Sequence, residues 1–281
     1  GAGGGLTVTG GLAEFYNVSG IGTVAISTTA QVRIDGGSSV GAITVDAGGI
    51  LYIFNIGTIG DLVTDGTVNL WGVHTGLITV QAGITLLYDC PDTGNVTVTG
   101  GDAEFFNVDG VGDVTVSSTA TFRIDGGRNI GAVTLSGTAL FEGRNIVSLV
   151  SVTLDGDTTC LISDTFISGA VTITSVSGNP AFQFRGRSID SFSNDGGTVE
   201  IYDTTIATTF ANISGTTLAK SCNVGTTITI SGGTVDLDDG SSGATTISLA
   251  SVVTLRDRRI VGAVTISGTA TVTAYDMVSG A

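Results

Sequence analysis

Apolar and polar residues alternate over short stretches of this chain, and the stretches repeat. In residues 263–278, Val264 and Ile266 point one way while Thr265 and Ser267 point the other, the period-2 pattern of a strand with one buried face. Gly268 turns the chain, and Val272 and Ala274 resume the inward set before Val278 and Gly280. Inward residues of successive sides often lie six apart, as in Ile266, Val272 and Val278 or Leu249, Leu255 and Val261. Such a unit has three short sides with Gly-rich corners and is too small to bury anything alone.

Stacking solves that problem. Segments of the same pattern begin at Ala42, Leu77, Asn95, Asp113, Ala132, Thr227 and Ala263, with weaker matches between them. From Leu6 to Ala263 there are 14 steps, so one unit takes about 18.4 residues. A longer repeat lies over the short one: residues 7–45 align without gaps on 97–135, with 24 identities in 39 positions. Its offset of 90 residues is five units. The pattern predicts an all-β protein, a single-stranded β-helix (β-solenoid) of about 15 coils, roughly triangular in section and of either hand. Residues 1–5 form a Gly-rich lead-in and 6–281 one continuous solenoid, whose five-coil block 6–95 is partly duplicated from 96. At ~4.8 Å per coil, such a rod is on the order of 70 Å long.

The first inner position of the second side reads Phe15, Val32, Leu51, Leu86, Phe105, Phe122, Phe141, Cys160, Phe182, Val199, Val253 and Val272 in the coils that align. Phe and β-branched residues stacked on their own kind fill a narrow column, so this stripe is expected to be packed core. The outward position of the first side is Thr7, Thr44, Thr79, Thr97, Thr115, Thr134, Thr153, Thr172, Thr229 and Thr265, with Ser248 expected in the same phase. Two residues on, Thr9, Thr99 and Thr174 repeat the hydroxyl, and Ser117, Ser136, Ser231 and Ser267 do so in four more coils. Thr is also simply a good residue for a solvated strand.

Composition narrows the class. The 281 residues include 44 Gly but 2 Pro and no Gly-X-Y period, which excludes collagen. With 41% hydrophobic residues and a mean hydropathy of +0.44, the chain has the apolar content to fold. Ten basic residues against 25 acidic ones give a net charge of −15, which argues against nucleic acid and anionic membranes as partners. No run approaches ~18 consecutive apolar residues, so no membrane insertion is expected. The chain opens Gly-Ala-Gly-Gly-Gly without an initiator Met or leader pattern, and reads as a processed product or one segment of a longer polypeptide.

Candidate chemistry is sparse. The single histidine, His74, has no second His or Cys near it in sequence, which speaks against a metal site or a nucleophilic triad. Cys90, Cys160 and Cys222 are about four and three coils apart, beyond the ~7 Å limit for a disulfide, and Cys160 falls in an inward phase. Acidic groups gather at Asp236, Asp238 and Asp239, at Glu200 and Asp203, and at Asp257 between Arg256 and Arg258. Paired carboxylates ~5–10 Å apart could serve glycoside hydrolysis. However, these sit at or near turns, where Asp is common anyway. The longest coil runs over about 170–191, with Pro180, Arg185 and Arg187, and is the expected place for a partner to be met. Sequons occur at Asn17, Asn95 and Asn212, as chance allows in so Asn- and Thr-rich a chain. No catalytic residue, metal or cofactor is expected, and the chain is read as not an enzyme.

Three resemblances bear on function. The Gly/Thr/Ser/Val repeat style, over nearly the whole chain, resembles the shafts of bacteriophage tail or head fibres and bacterial adhesin stalks. That likeness implies a non-enzymatic structural appendage on a virion or cell surface, self-associating as a homotrimer, with other surface proteins or a host-surface glycan as partners. The ranked Thr-x-Thr face resembles the ice-binding face of β-solenoid antifreeze proteins. The acidic clusters give the third likeness, to polysaccharide-binding or -cleaving tailspike proteins, although those have longer coils and loop insertions that build a cleft. Triangular coils of about 18 residues are also similar to hexapeptide-repeat acyltransferases, but the strict [LIV]-G-x4 hexad is absent here.

Overall fold

Val, Ile and Thr are stiff at χ1 and pack well on a pleated surface, so the short Val-Thr-Val runs settle as strands. The computed structural model describes residues 3–174 and 178–279; among them every regular element is a strand and none is a helix. The chain divides into two compact units, Gly1–Val133 with Thr138–Val147, and Thr134–Gly137 with Ser148–Ala281. Each unit is a β-solenoid of parallel strands, with roughly 14 turns in all.

In the first unit, Leu6–Val8 pairs with Val24–Ile26, and the ladder continues through Ile43–Val45, Leu62–Thr64, Ile78–Val80, Val96–Val98 and Val114–Val116. Successive partners lie 16 to 19 residues apart. In the second unit, Val152, Val171, Phe192, Phe210, Ile228, Thr245 and Val264 follow one another in register, 17 to 21 residues apart. The longest step, Val171 to Phe192, is the coil expected at 170–191; its residues 175–177 lie outside the described residues.

Inside each unit the inward side chains form files. Phe105, Phe122 and Phe141 are buried in the first, with Phe105 edge-on to Phe122 at 4.8 Å between ring centroids and Phe122 stacked on Phe141 at 5.7 Å. In the second unit Phe182, Phe184, Phe192 and Phe210 pack similarly, with centroids 5.3 to 6.3 Å apart. The stripe expected from sequence is thus core, but three of its members are elsewhere. Phe15 pairs with Ile34 and Phe105 with Leu87 and Ile124, two residues further along the strand than Val32 and Phe122, at the next inward place. Leu86 faces outward beside Glu104, and the buried Thr85 and Leu87 take the inner places. Coils that vary in length slip a fixed 18-residue index by one or two residues; a slip of two keeps the face, and a slip of one, as at Leu86, exchanges it.

The corners are where glycine was expected, and the finding is more specific. One corner carries a left-handed residue in most coils, filled by Gly36, Gly72 and Gly126 in some coils of the first unit and by Asn17, Asn55, Asp89, Asn107 and Asn145 in others. In the second unit Asp164, Asp203, Ser221, Asp239, Asp257 and Asp276 do the same, with φ between 46° and 55°. Asn and Asp tolerate this region because the side chain can bond locally. Asn145 Nδ2 donates to Asp125 Oδ1 at 2.8 Å and Asn107 Nδ2 to Asp89 Oδ1 at 3.3 Å, tying one corner to the next. Glycine is obligatory at Gly37, where a Cβ, at φ 139°, would run into the Val18 carbonyl of the coil before.

Candidate functional site

The threonine rank is a real file, and it is interrupted. In the first unit Thr7, Ala25, Thr44, Val63, Thr79, Thr97 and Thr115 succeed one another in register. In the second the order is Thr153, Thr172, Ser193, Ala211, Thr229, Thr246 and Thr265, so Thr246 rather than Ser248 holds the place. Thr134, in the short segment Thr134–Gly137, is exposed. Thr9 and Thr99 are exposed in the second rank, whereas Thr174 is half-buried and its hydroxyl donates to the Leu154 carbonyl at 3.1 Å. Asp46, Asp65 and Gln81 take the second-rank position in three coils, where their amides follow Val45-type strand ends in the same backbone pattern. A methyl-and-hydroxyl lattice is therefore broken at several coils.

The acidic residues do not converge on a reacting centre. Asp236 is paired with Arg256 at 3.2 Å, and Asp238 stands in register between Lys220 and Arg256. Glu200 accepts from Gln183 Nε2 at 2.9 Å and from the Tyr202 hydroxyl at 3.1 Å, and burial together with that carboxylate pushes the Tyr202 phenol up. Asp203, Asp239 and Asp257 are left-handed corner residues. Arg258 does not flank Asp257 on the surface: it turns into the core, 1% exposed, and donates to the carbonyls of Cys222, Ser241 and Asp239 at 3.0 to 3.1 Å. Desolvation lowers its pKa from the usual guanidinium value. Among the described residues no group of three His, Cys, Asp or Glu is placed to hold a metal ion. His74 is exposed on the short strand His74–Thr75. The three cysteines are free and buried, and burial raises all three thiols, Cys222 to about 11. Of the sequon asparagines, Asn212 is wholly buried, so that sequon offers no side chain to solvent.

A different feature gathers side chains on the second outer face of the first unit. Phe54, Trp71, Tyr88 and Phe106 occupy the same outward position in four successive coils. Their rings stack in a ladder, 4.6, 5.0 and 5.0 Å between centroids and within 12° of parallel. Arg33 covers the Phe54 end at 4.9 Å. Beside the ladder runs a second file, Glu14, Arg33, Tyr52, Asn69, Leu86, Glu104, Arg123 and Glu142. Arg33 pairs with Asp35 at 3.1 Å, and Arg123 bridges Glu104 at 2.8 Å and Glu142 at 3.2 Å; these partners hold both guanidiniums firmly charged.

Two hollows on this face, one lined by Glu14, Arg33, Tyr52 and Phe54 and the other by Glu104, Arg123, Glu142 and Arg144, use positions exactly one 90-residue repeat apart. Their volumes, about 270 and 150 Å³, fall below the roughly 300 Å³ typical of small-molecule sites. The ladder was missed in the sequence, although an aromatic followed by Asn, Gly or Asp recurs there every 17 or 18 residues. No family model matches the chain, and neither does any curated protein or solved structure.

Proposed function

We propose that this chain is a non-enzymatic structural segment of a surface appendage, a viral fibre shaft or similar extracellular filament, that acts as a stiff scaffold. The observation that carries this reading is the backbone: within each unit, coil after coil is bonded in parallel register around a filled apolar core. Dense ladders of this kind resist local opening and proteolysis and hold surface residues at fixed spacing. The paired and corner-bound acids support a structural over a catalytic role. Self-association belongs to the reading, because such scaffolds work in assemblies.

Immuno-electron microscopy tests it. Antibody against the chain should decorate an elongated appendage on source particles or cells, and label confined to a cell interior would refute the proposal. Polysaccharide depolymerisation that Asp236→Ala or Asp238→Ala abolishes would establish the tailspike-like alternative instead. The ice-binding alternative requires thermal hysteresis at micromolar protein, and the breaks at Ala25, Val63 and Ala211 count against it.

A further inference from the structure

We propose that the aromatic face of the first unit binds a second copy of this chain, face to face and with the two solenoid axes antiparallel, about a two-fold axis through the coil of Asn69 and Trp71. The proposal rests on the structural reading above for self-association and adds the surface, the orientation and the register.

The face presents apolar side chains in a polar rim. Its middle coils carry Ile84, 45% exposed, beside half-buried Leu86, Tyr52 and the ring ladder. Stacked rings offer only their edges to solvent, which suits broad packing against another sheet better than the ring-face contact that a sugar needs. Aromatics and arginine are also the residues that anchor interfaces. Seven coils at ~4.8 Å and outward files spread over ~14 Å of strand give roughly 500 Å² per copy, and about 1,000 Å² in all meets the lower bound for a specific interface.

Charge selects the arrangement. A self-complementary contact of one flat face on itself needs a two-fold axis in the plane of the contact. If that axis runs along the solenoid, each coil meets itself, so Arg33 faces Arg33 and Glu104 faces Glu104. If it runs across the solenoid midway between the Asn69 and Leu86 coils, Arg33 meets Arg123 and Glu14 meets Glu142. Both are repulsive. Moving the axis by half a coil, onto Asn69, pairs Arg33 with Glu104 and Glu14 with Arg123 at the two rims. The same axis sets Ile50 on Ile84, Tyr52 on Leu86, Phe54 on Tyr88 and Trp71 on Trp71. Of these three arrangements only the last matches charge, and it also joins the apolar residues of the middle coils, in a molecule whose net charge of −15 otherwise opposes association.

Trp71 is the only tryptophan, so its emission reports this contact directly. The full chain is followed by sedimentation velocity and by Trp71 emission from about 1 to 100 µM, and a dimer is expected whose formation shifts the emission to the blue. Arg33→Glu puts a carboxylate opposite Glu104 and should weaken the dimer at least about tenfold, and adding Glu104→Arg should restore it to within about threefold. Trp71→Lys should leave a folded monomer by circular dichroism, while Thr79→Lys on the first side changes nothing. A chain monomeric at about 100 µM, or a three-fold assembly, overturns the proposal. So does a dimer indifferent to both Arg33→Glu and Trp71→Lys, a charge swap that fails to restore association, or an emission shift that follows added cellohexaose rather than protein concentration. A monomer would leave the appendage reading to be judged by its own imaging test.

Discussion

Replacing Asn194 with alanine breaks a polar chain inside the second unit. Asn194 is fully buried; its Oδ1 accepts the Gly197 N–H at 2.9 Å, and its Nδ2 lies 3.1 Å from the Gly197 carbonyl, 3.1 Å from Asn212 Oδ1 and 3.0 Å from Thr217 Oγ1. Asn212 continues the chain, accepting from the Thr217 hydroxyl at 2.7 Å and donating to the Gly232 carbonyl at 2.7 Å. Alanine leaves the buried Gly197 N–H without its acceptor and Asn212 Oδ1 without one of its two donors. At about 1–3 kcal/mol for each buried polar group that loses its partner, plus a small void, the loss should be about 2–5 kcal/mol. Urea denaturation followed by circular dichroism reads it as a lower midpoint at unchanged slope. Because the two asparagines share partners, Asn194→Ala and Asn212→Ala should also couple, the double variant losing at least about 1 kcal/mol less than the sum. Asn194→Leu restores volume but not the acceptor, so it should cost nearly as much as alanine. A loss below about 0.5 kcal/mol, or full rescue by leucine, would show that packing rather than polar satisfaction governs this site.

Phe122→Ala removes a ring that contacts Phe105 and Phe141 and should cost about 3–5 kcal/mol in the same denaturation assay. Arg258→Ala strips the buried Cys222 carbonyl and the part-buried Asp239 and Ser241 carbonyls of a charged donor and should cost about 2–5 kcal/mol, whereas a change at the exposed Arg187 should be nearly silent. The thiol of Cys222 is neutral in the fold up to about pH 11, against 9.0 ordinarily. Its contribution is therefore fully present below pH 9 and is lost as pH rises from 9 to 11; Cys222→Ala should flatten that alkaline limb of the stability curve. All three thiols should resist a thiol-specific dye in the native state and react only on unfolding; fast labelling before denaturation would contradict their burial.

Much of the fold was legible because a solenoid writes its period into the chain. Val96 and Val98, Val114 and Val116 and their equivalents alternate into the core, and the long coil at 170–191 follows from counting. Val264 and Ile266 of the last coil and Leu249 and Val261, read as inward, are instead exposed, Leu249 as a left-handed turn residue. The exceptions are local. In residues 84–88 apolar side chains sit at Ile84, Leu86, Leu87 and Tyr88, so alternation alone does not decide which set turns inward. Tertiary register decides it, by placing Tyr88 in the outer ring ladder and Thr85 in the core. Asn194, Asn212 and Arg258 read as surface residues in a sequence, since burial of a polar side chain depends on partners contributed by other coils. The threonine file was visible as a rank, but its breaks at Ala25 and Val63 needed the observed pairing.

The left-handed corner has an evolutionary corollary. That position accepts Gly, Asn, Asp or Ser, and the exchange of an amide for a carboxylate there alters no core contact. Most coils thus have a place where a negative charge can be added or removed almost independently of folding. A lineage that lengthens or shortens such an array by whole coils can tune colloidal repulsion at the corners and leave the packed interior untouched.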